Sequence, residues 1–301
     1  MRAAVGAMAR RLAAGLIASL LVTGLAACGN RPAQGPPPNP PLYEIAASDG
    51  TVEGWLLGTI HALPDTAEWR TPAIGQVIDR ADLLVVEVGE AKGRDAGPSL
   101  YNSLAKSPGL PPLADRLPAD LRPRLAALMD QGGLDDNAFA AEESWAAAIG
   151  LARIGAVGDP ANGVDRALIA AFADRPVREL EGLRGQLSLF DRLPESAQRT
   201  MLEAVVREGT SAGRDPERLT RAWLTGDAAT IEQATREGFL ADPTLREALL
   251  TGRNRRWAAV LAPLLAETPR PLIAVGAAHL LGPDGLAALL EAQGYRLRRI
   301  P

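Results

Sequence analysis

Only two histidines occur in the chain, and both stand in the same local frame. His61 follows Gly58 in "GWLLGTIH" and His279 follows Gly276 in "PLIAVGAAH", so each closes a G-x-x-H placed after an apolar run. An imidazole titrates near neutral pH and can move a proton or bind a metal, and both uses need a positioned ring with carboxylates close by. A single histidine is more often a structural, backbone-bonded residue, whereas two in one frame point to a shared site whose side chains lie within about 10 Å of each other. Glu87 ends the apolar run "DLLVVEV", where an acid must find a partner or face solvent at an edge. Glu181 closes "VREL" ahead of Gly182, with Gln186 on the next helical turn, and reads either as a second site acid or as a solvated one. In "GRNRRW", Arg253, Arg255 and Arg256 cluster with Asn254, either as a solvated helix face or with an arginine and Asn254 lining an anionic pocket.

Several other chemistries lack their motifs. There is no H-E-x-x-H, and neither G-x-x-x-x-G-K-[ST] nor G-x-G-x-x-G occurs, so nothing signals a zinc-protease helix or a nucleotide cradle. "GTSAG", residues 209–213, fits G-x-S-x-G, but a nucleophile elbow links a strand to a helix and the preceding "TMLEAVVRE" is helical. Ser211 is therefore not expected to be a nucleophile.

The elements around these residues are legible from periodicity. "LYEIAA", the turn Ser48-Asp49-Gly50 and "TVEGWLLGTI" read as a hairpin leading into His61, followed by a helix in "TPAIGQVIDRA" and a buried strand in "DLLVVEV". The C-terminus repeats the order: strand "PLIAV", loop "GAAHLLGPDG", helix "LAALLEAQ", strand "GYRLRRI". Residues from about 95 to about 265 carry mostly helical spacing, broken by a strand-like "PVRELEG" at 176–182. The expected fold is α/β, with a central sheet built from two strand–GxxH–helix–strand units and a large, mostly helical insertion between them. Parallel strands joined by helices would put both histidines at the carboxyl edge of the sheet, with His61 on the strand next to that of Glu87.

At 301 residues and 47% hydrophobic composition the chain is globular rather than disordered. Residues 1–27 have a basic start at Arg2, Arg10 and Arg11, a short apolar run and a small-residue exit, the pattern of a secretory signal. The exit Leu25-Ala26-Ala27-Cys28 resembles the bacterial lipobox, in which cleavage leaves a lipid-modified cysteine, and Cys28 is the only cysteine. Residues 28–41, rich in proline, read as a tether to a folded region at 42–301. Loss of the signal removes three arginines and no acid, so the net charge of −4 becomes more negative and the surface does not attract nucleic acid.

The stretches "LLGTIHALPD", "ADLLVVEV", "GVDRALIAAFADRPVRELEGLRGQLSLFDRLP", "RNRRWA" and "VGAAHLLGPDGLAALLEAQGYRLRRI" together resemble the TraB/PrgY/GumN family. That family is similar to the Tiki metalloproteases and, more distantly, to the erythromycin esterase and ChaN-like fold. The resemblance implies an α/β core carrying His61, Glu87 and His279 in one cleft, with Glu181 and Asn254 beside them. It also implies either metal-dependent peptidase chemistry or a metal-free activation of water. One departure is that Gly182 and Leu183 stand where many relatives have a polar pair. The expected function is that of a lipid-anchored hydrolase on the periplasmic face of a bacterial envelope membrane. In it His61, Glu87 and His279 activate water, directly or through a divalent metal (Mn, Co or Zn) held with Glu181, to cleave a peptide or ester. The alternative is an envelope binding protein that holds a peptide, haem or another small ligand without turnover.

Overall fold

The computed structural model describes residues 37–89, 96–213, 215–267 and 270–301. The expected signal segment and Cys28 lie outside them. Strands β1 (Leu42–Ala46) and β2 (Val52–Thr59) form the hairpin, closed by Gly50 at φ +92°. Then come β3 (Leu83–Val86), β4 (Val177–Glu179), β5 (Pro271–Gly276) and β6 (Arg296–Ile300), in one sheet of order β4-β3-β5-β2-β1-β6. The pairs β4–β3, β3–β5 and β5–β2 are parallel, while β1 runs antiparallel to both of its neighbours. Four strands therefore deliver their carboxyl ends to one edge, where an open α/β sheet gathers its ligands.

Helices α1 (Pro72–Arg80), α2 (Ala96–Ala105), α3 (Arg122–Gln131), α4 (Ser144–Ala152), α5 (Val164–Ala171), α6 (Gly182–Asp191), α7 (Glu195–Gly209), α8 (Arg218–Thr225) and α9 (Ala228–Ala234) follow in chain order. The short α10 (Pro243–Arg246) runs through a π turn into α11 (Gly252–Leu265), and α12 (Leu286–Ala292) precedes the last strand. Alternation along each central strand decides the two faces of the sheet. Trp55, Leu57, Leu84, Val86, Leu272 and Ala274 pack against α1, α5 and Trp223 of α8. Leu56, Leu83, Val85, Ile273 and Val275 pack on the opposite side against α11 and α12. Helices α3, α4 and α7 bury their apolar faces mainly against one another, in a third core beside the sheet.

Two expectations need correction. The strand of His61 is not next to that of Glu87, because β5, arriving from far along the chain, lies between β2 and β3 and pairs with both. The end of the proline-rich stretch is not a free tether either: Pro40 and Pro41 are buried, Asn39 N–H donates to the Leu224 carbonyl at 2.7 Å, and Gly58 N–H donates to the Pro41 carbonyl at 2.8 Å. No described helix is long and apolar enough to cross a membrane.

Candidate functional site

Each of the four parallel strands ends in a residue singled out by the sequence. Going along the edge, Glu181 follows β4, Glu87 follows β3, His279 follows β5 and His61 follows β2. Gly276, the glycine of the second G-x-x-H, lies among them. A Cβ there would stand 3.3 Å from Glu87 Oε1, 3.7 Å from the His279 ring and 3.9 Å from His61 Nε2, so the two rings approach within about 8 Å of each other. The missing side chain is what leaves this space open.

His61 is fixed from behind. Its Nδ1 is 2.8 Å from Asp165 Oδ2, and the other carboxylate oxygen of Asp165 accepts from the buried Thr59 hydroxyl at 2.7 Å. Asp165 sits in the first turn of α5, where the helix dipole favours an anion. That helix is docked directly on the histidine loop: Val164 N–H donates to the Ile60 carbonyl at 3.0 Å, and a Cβ on Gly163 would lie 2.5 Å from the His61 carbonyl oxygen. Since a carboxylate accepts, Nδ1 carries the proton and Nε2 is left toward the space beside Gly276. The Asp165 hydrogen bond raises the His61 pKa above its usual 6.5, against the opposing effect of its surroundings, although 70% of the side chain is exposed. Burial is the largest influence on Asp165 and works against its charge, but the hydrogen bonds from His61 and Thr59 and the attraction of His61 together outweigh it and hold the carboxyl below its usual range.

Behind Glu87 lies a closed network centred on Arg253. The π turn Glu247–Thr251 aims this part of the helix, and Gly252 permits it, because a Cβ there would meet the Glu247 carbonyl oxygen at 2.6 Å. Arg253 donates from Nε to both oxygens of Glu181 at 3.0 and 3.2 Å, and from one terminal nitrogen to the Leu249 carbonyl and His279 Nε2, each at 3.1 Å. The other terminal nitrogen donates to Glu87 Oε2 at 2.6 Å and Glu181 Oε2 at 2.8 Å. All five N–H groups of the guanidinium thus have an acceptor. Trp257, one turn further along α11, lies 4.6 Å from the guanidinium and 4.5 Å from the His279 ring, and its indole N–H donates to Glu181 at 3.1 Å.

Because a guanidinium only donates, His279 Nε2 is the acceptor, so Nδ1 carries the ring proton and donates to Asn254 Oδ1 at 2.6 Å. The Asn254 amide nitrogen in turn donates to the Asp284 carbonyl at 2.8 Å. Burial lowers the His279 pKa to about 4, so the ring is neutral at neutral pH. Burial opposes the charge on Glu87, yet its pKa is lowered. A charged His279 would contribute to that, but the ring is neutral, so Arg253 and the Gly276 N–H, at 2.8 Å from Oε1, hold the carboxylate ionised. Gln186 of α6 donates to Glu87 Oε2 at 3.2 Å. Arg255 and Arg256 turn outward on the same helix, Arg255 pairing with exposed Glu247.

The profile of the TraB/PrgY/gumN family matches residues 42–299, which takes in every residue of this site and the whole sheet except Ile300. The chain belongs to the TraB/PrgY/gumN family. No curated protein and no solved structure is significantly similar to it.

In this TraB/PrgY/gumN chain the strand ends open into a cleft of about 1140 Å³. His61, Glu87, Arg253 and His279 lie along it, with Leu187, Phe190, Trp223 and Phe239 among the apolar lining. Ser211 also lines the cleft, but in a turn after α7, with no strand-to-helix elbow.

The expected divalent metal can be tested against this donor set. A catalytic zinc takes three protein ligands with free lone pairs. Here His279 Nε2 accepts from Arg253, His61 Nδ1 is bonded to Asp165, and both Glu181 oxygens face the guanidinium. That leaves His61 Nε2 and the remaining lone pairs of Glu87 beside a buried cation. Among the described residues, no group of three or more His, Cys, Asp or Glu is arranged to hold a metal. His61, Glu87, His279 and Glu181 do not fit a metal in this arrangement.

Sequence reasoning missed Asp165. In "GVDRALIAAF" it reads as an ordinary acid in the first turn of a helix. The available signal was Gly163 two residues earlier, a glycine at a helix start where the backbone of another segment comes within contact distance.

Proposed function

We propose that this protein is an envelope hydrolase in which His61, oriented by Asp165, activates water against an amide or ester bond lying in the cleft. The observation that supports the reading is the Asp165–His61 pair, with Nδ1 bonded to the carboxylate and Nε2 left toward the space bounded by Gly276 and Glu87. In this reading His61 Nε2 takes a proton as water adds to the substrate carbonyl, Asp165 stabilises the resulting imidazolium, and the proton passes to the leaving group as the C–N or C–O bond breaks. Its raised pKa makes the imidazole a stronger base than a free histidine. Glu87, held ionised at the edge of the same space, favours the imidazolium electrostatically. Pockets for small ligands measure roughly 300 to 1,000 Å³. The cleft exceeds that range, and its apolar lining favours an extended substrate such as a peptide with hydrophobic side chains. The lipobox-like Leu25–Cys28 stretch supports anchoring through Cys28 on the periplasmic face of a membrane.

The test is hydrolysis of peptide and ester libraries by wild type and by His61→Ala, each with and without chelator. Turnover that is lost in His61→Ala, without loss of thermal stability, supports the proposal. Saturable ligand binding with no product from any substrate would replace it with the binding-protein alternative.

A further inference from the structure

In the site's inner half, the groups that usually surround a metal ion surround an arginine. Glu87 Oε2 and Glu181 Oε2 meet the same guanidinium nitrogen at 2.6 and 2.8 Å, and His279 Nε2 meets the other at 3.1 Å. Two carboxylates and a neutral imidazole, all nearly buried, form a donor set for a divalent transition metal, and a single fixed positive charge is bonded to all three. We infer that Arg253 is the resident cation of this site, standing where a metallohydrolase would carry its metal, and that its removal unmasks a divalent-metal site made of Glu87, Glu181 and His279.

The guanidinium is permanently charged and its five N–H groups are all bonded, so it does not leave without breaking several buried charge-assisted bonds. A divalent ion placed beside it would meet twice the repulsion that a unit charge meets at the same distance. Without it, metal–oxygen and metal–nitrogen bonds of about 2.0 to 2.2 Å would be reached by shifts of roughly 1 Å from the distances to the guanidinium. The inference concerns which cation the site holds, and it stands whether or not the cleft turns over a substrate.

The experiment titrates Co²⁺ into chelator-treated protein, reading calorimetric heat and the visible absorption of bound cobalt. Wild type and Arg253→Lys, which keeps a positive charge, are expected to show no saturable binding. Arg253→Ala is expected to bind one Co²⁺ per chain and to lose it when Glu87→Gln or His279→Gln is added. If Arg253→Ala does not fold, Arg253→Met, which keeps most of the side-chain volume, takes its place. Saturable Co²⁺ binding by wild type that disappears in Glu87→Gln would overturn the inference, as would a folded Arg253→Ala that binds no metal.

Discussion

Glu87→Gln is nearly isosteric, and from the sequence it is expected to preserve the fold while removing a functional charge. The three groups around Glu87 give a different expectation. Its carboxylate accepts from Gly276 N–H, Arg253 and Gln186, and it is only 5% exposed, so solvent replaces a lost partner poorly. A glutamine has one acceptor oxygen and one donating nitrogen. If the oxygen faces Arg253 and Gln186, the new NH₂ opposes Gly276 N–H; if it faces Gly276, the NH₂ opposes the guanidinium. Either way two donors confront each other. A hydrogen bond to a charged group contributes about 1.5 to 3 kcal/mol, and breaking a buried ion pair outright costs about 3 to 5 kcal/mol. Arg253 keeps Glu181 as a counter-ion, so the change should cost about 3 kcal/mol, near the lower end of the second range.

For a folded region of this size, about 3 kcal/mol corresponds to a drop of roughly 6 to 12 °C in melting temperature. The assay is thermal unfolding followed by circular dichroism, on wild type, Glu87→Gln, Arg253→Met and the double variant. The double variant should lose less than the two single losses combined, because each single change strands the partner that the other removes. Glu87→Gln melting within about 1 °C of wild type, or full additivity in the cycle, would refute the assignment of Glu87 as the buried counter-ion of Arg253.

Three more expectations follow from the same geometry. Asp165→Asn removes the group that raises the His61 pKa, so the limb of the pH–rate profile that reports deprotonation of His61 should move to lower pH while the rate falls by about 10² or more; an unmoved limb would count against the dyad. His279 binds its proton more weakly folded than unfolded, so stability is full above pH 6.5 and is lost as pH falls toward 4, by up to about 3 kcal/mol. His61, with its pKa raised, contributes stability fully present below 6.5, and Glu87 and Asp165 lose theirs only below the ordinary carboxylate range; from pH 6.5 to 4.5 the loss therefore belongs to His279, opposed by Glu142, whose burial-raised pKa adds stability as pH falls, and His279→Gln should abolish the loss. Gly276→Ala places a methyl 3.3 Å from Glu87 and 3.9 Å from His61 Nε2, and should cut turnover sharply while changing the melting temperature little. A fully active Gly276→Ala would mean that substrate and water do not use that space.

The parts of the site that depend on where strands end were legible, because a strand end is announced by an apolar run that stops at a glycine or a charge. Glu87 after "LLVV", Glu181 after the short β4 and the two G-x-x-H histidines were all found that way. Strand adjacency was not legible. Which strand lies between β2 and β3 is decided by packing between segments some two hundred residues apart, and neither local sequence carries that information. Arg253 was visible only as one of three arginines in "GRNRRW", since its selection over Arg255 and Arg256 comes from the face of α11 that meets the sheet edge. The π turn ahead of it, which sets that face, is permitted by Gly252, whose close approach to the Glu247 carbonyl appears only in three dimensions.

The matched frames also produce an asymmetry that the motif alone conceals. Gly58 and Gly276 sit on neighbouring parallel strands, offset by one residue in register, since Gly58 pairs with Val275 and Thr59 with Gly276. From nearly the same starting point the two loops enter different surroundings. His61 emerges into the cleft, gains a carboxylate on Nδ1 and becomes a stronger base. His279 turns inward, gains an amide oxygen on Nδ1 and a guanidinium on Nε2, and is held neutral. Both ring nitrogens of His279 are committed to other side chains, whereas His61 Nε2 is left toward the cleft. A site that separates the pKa values of two like groups in opposite directions assigns them different work. In the proposed hydrolase, proton transfer falls to His61, while His279 bridges Arg253 and Asn254 and keeps the inner network closed.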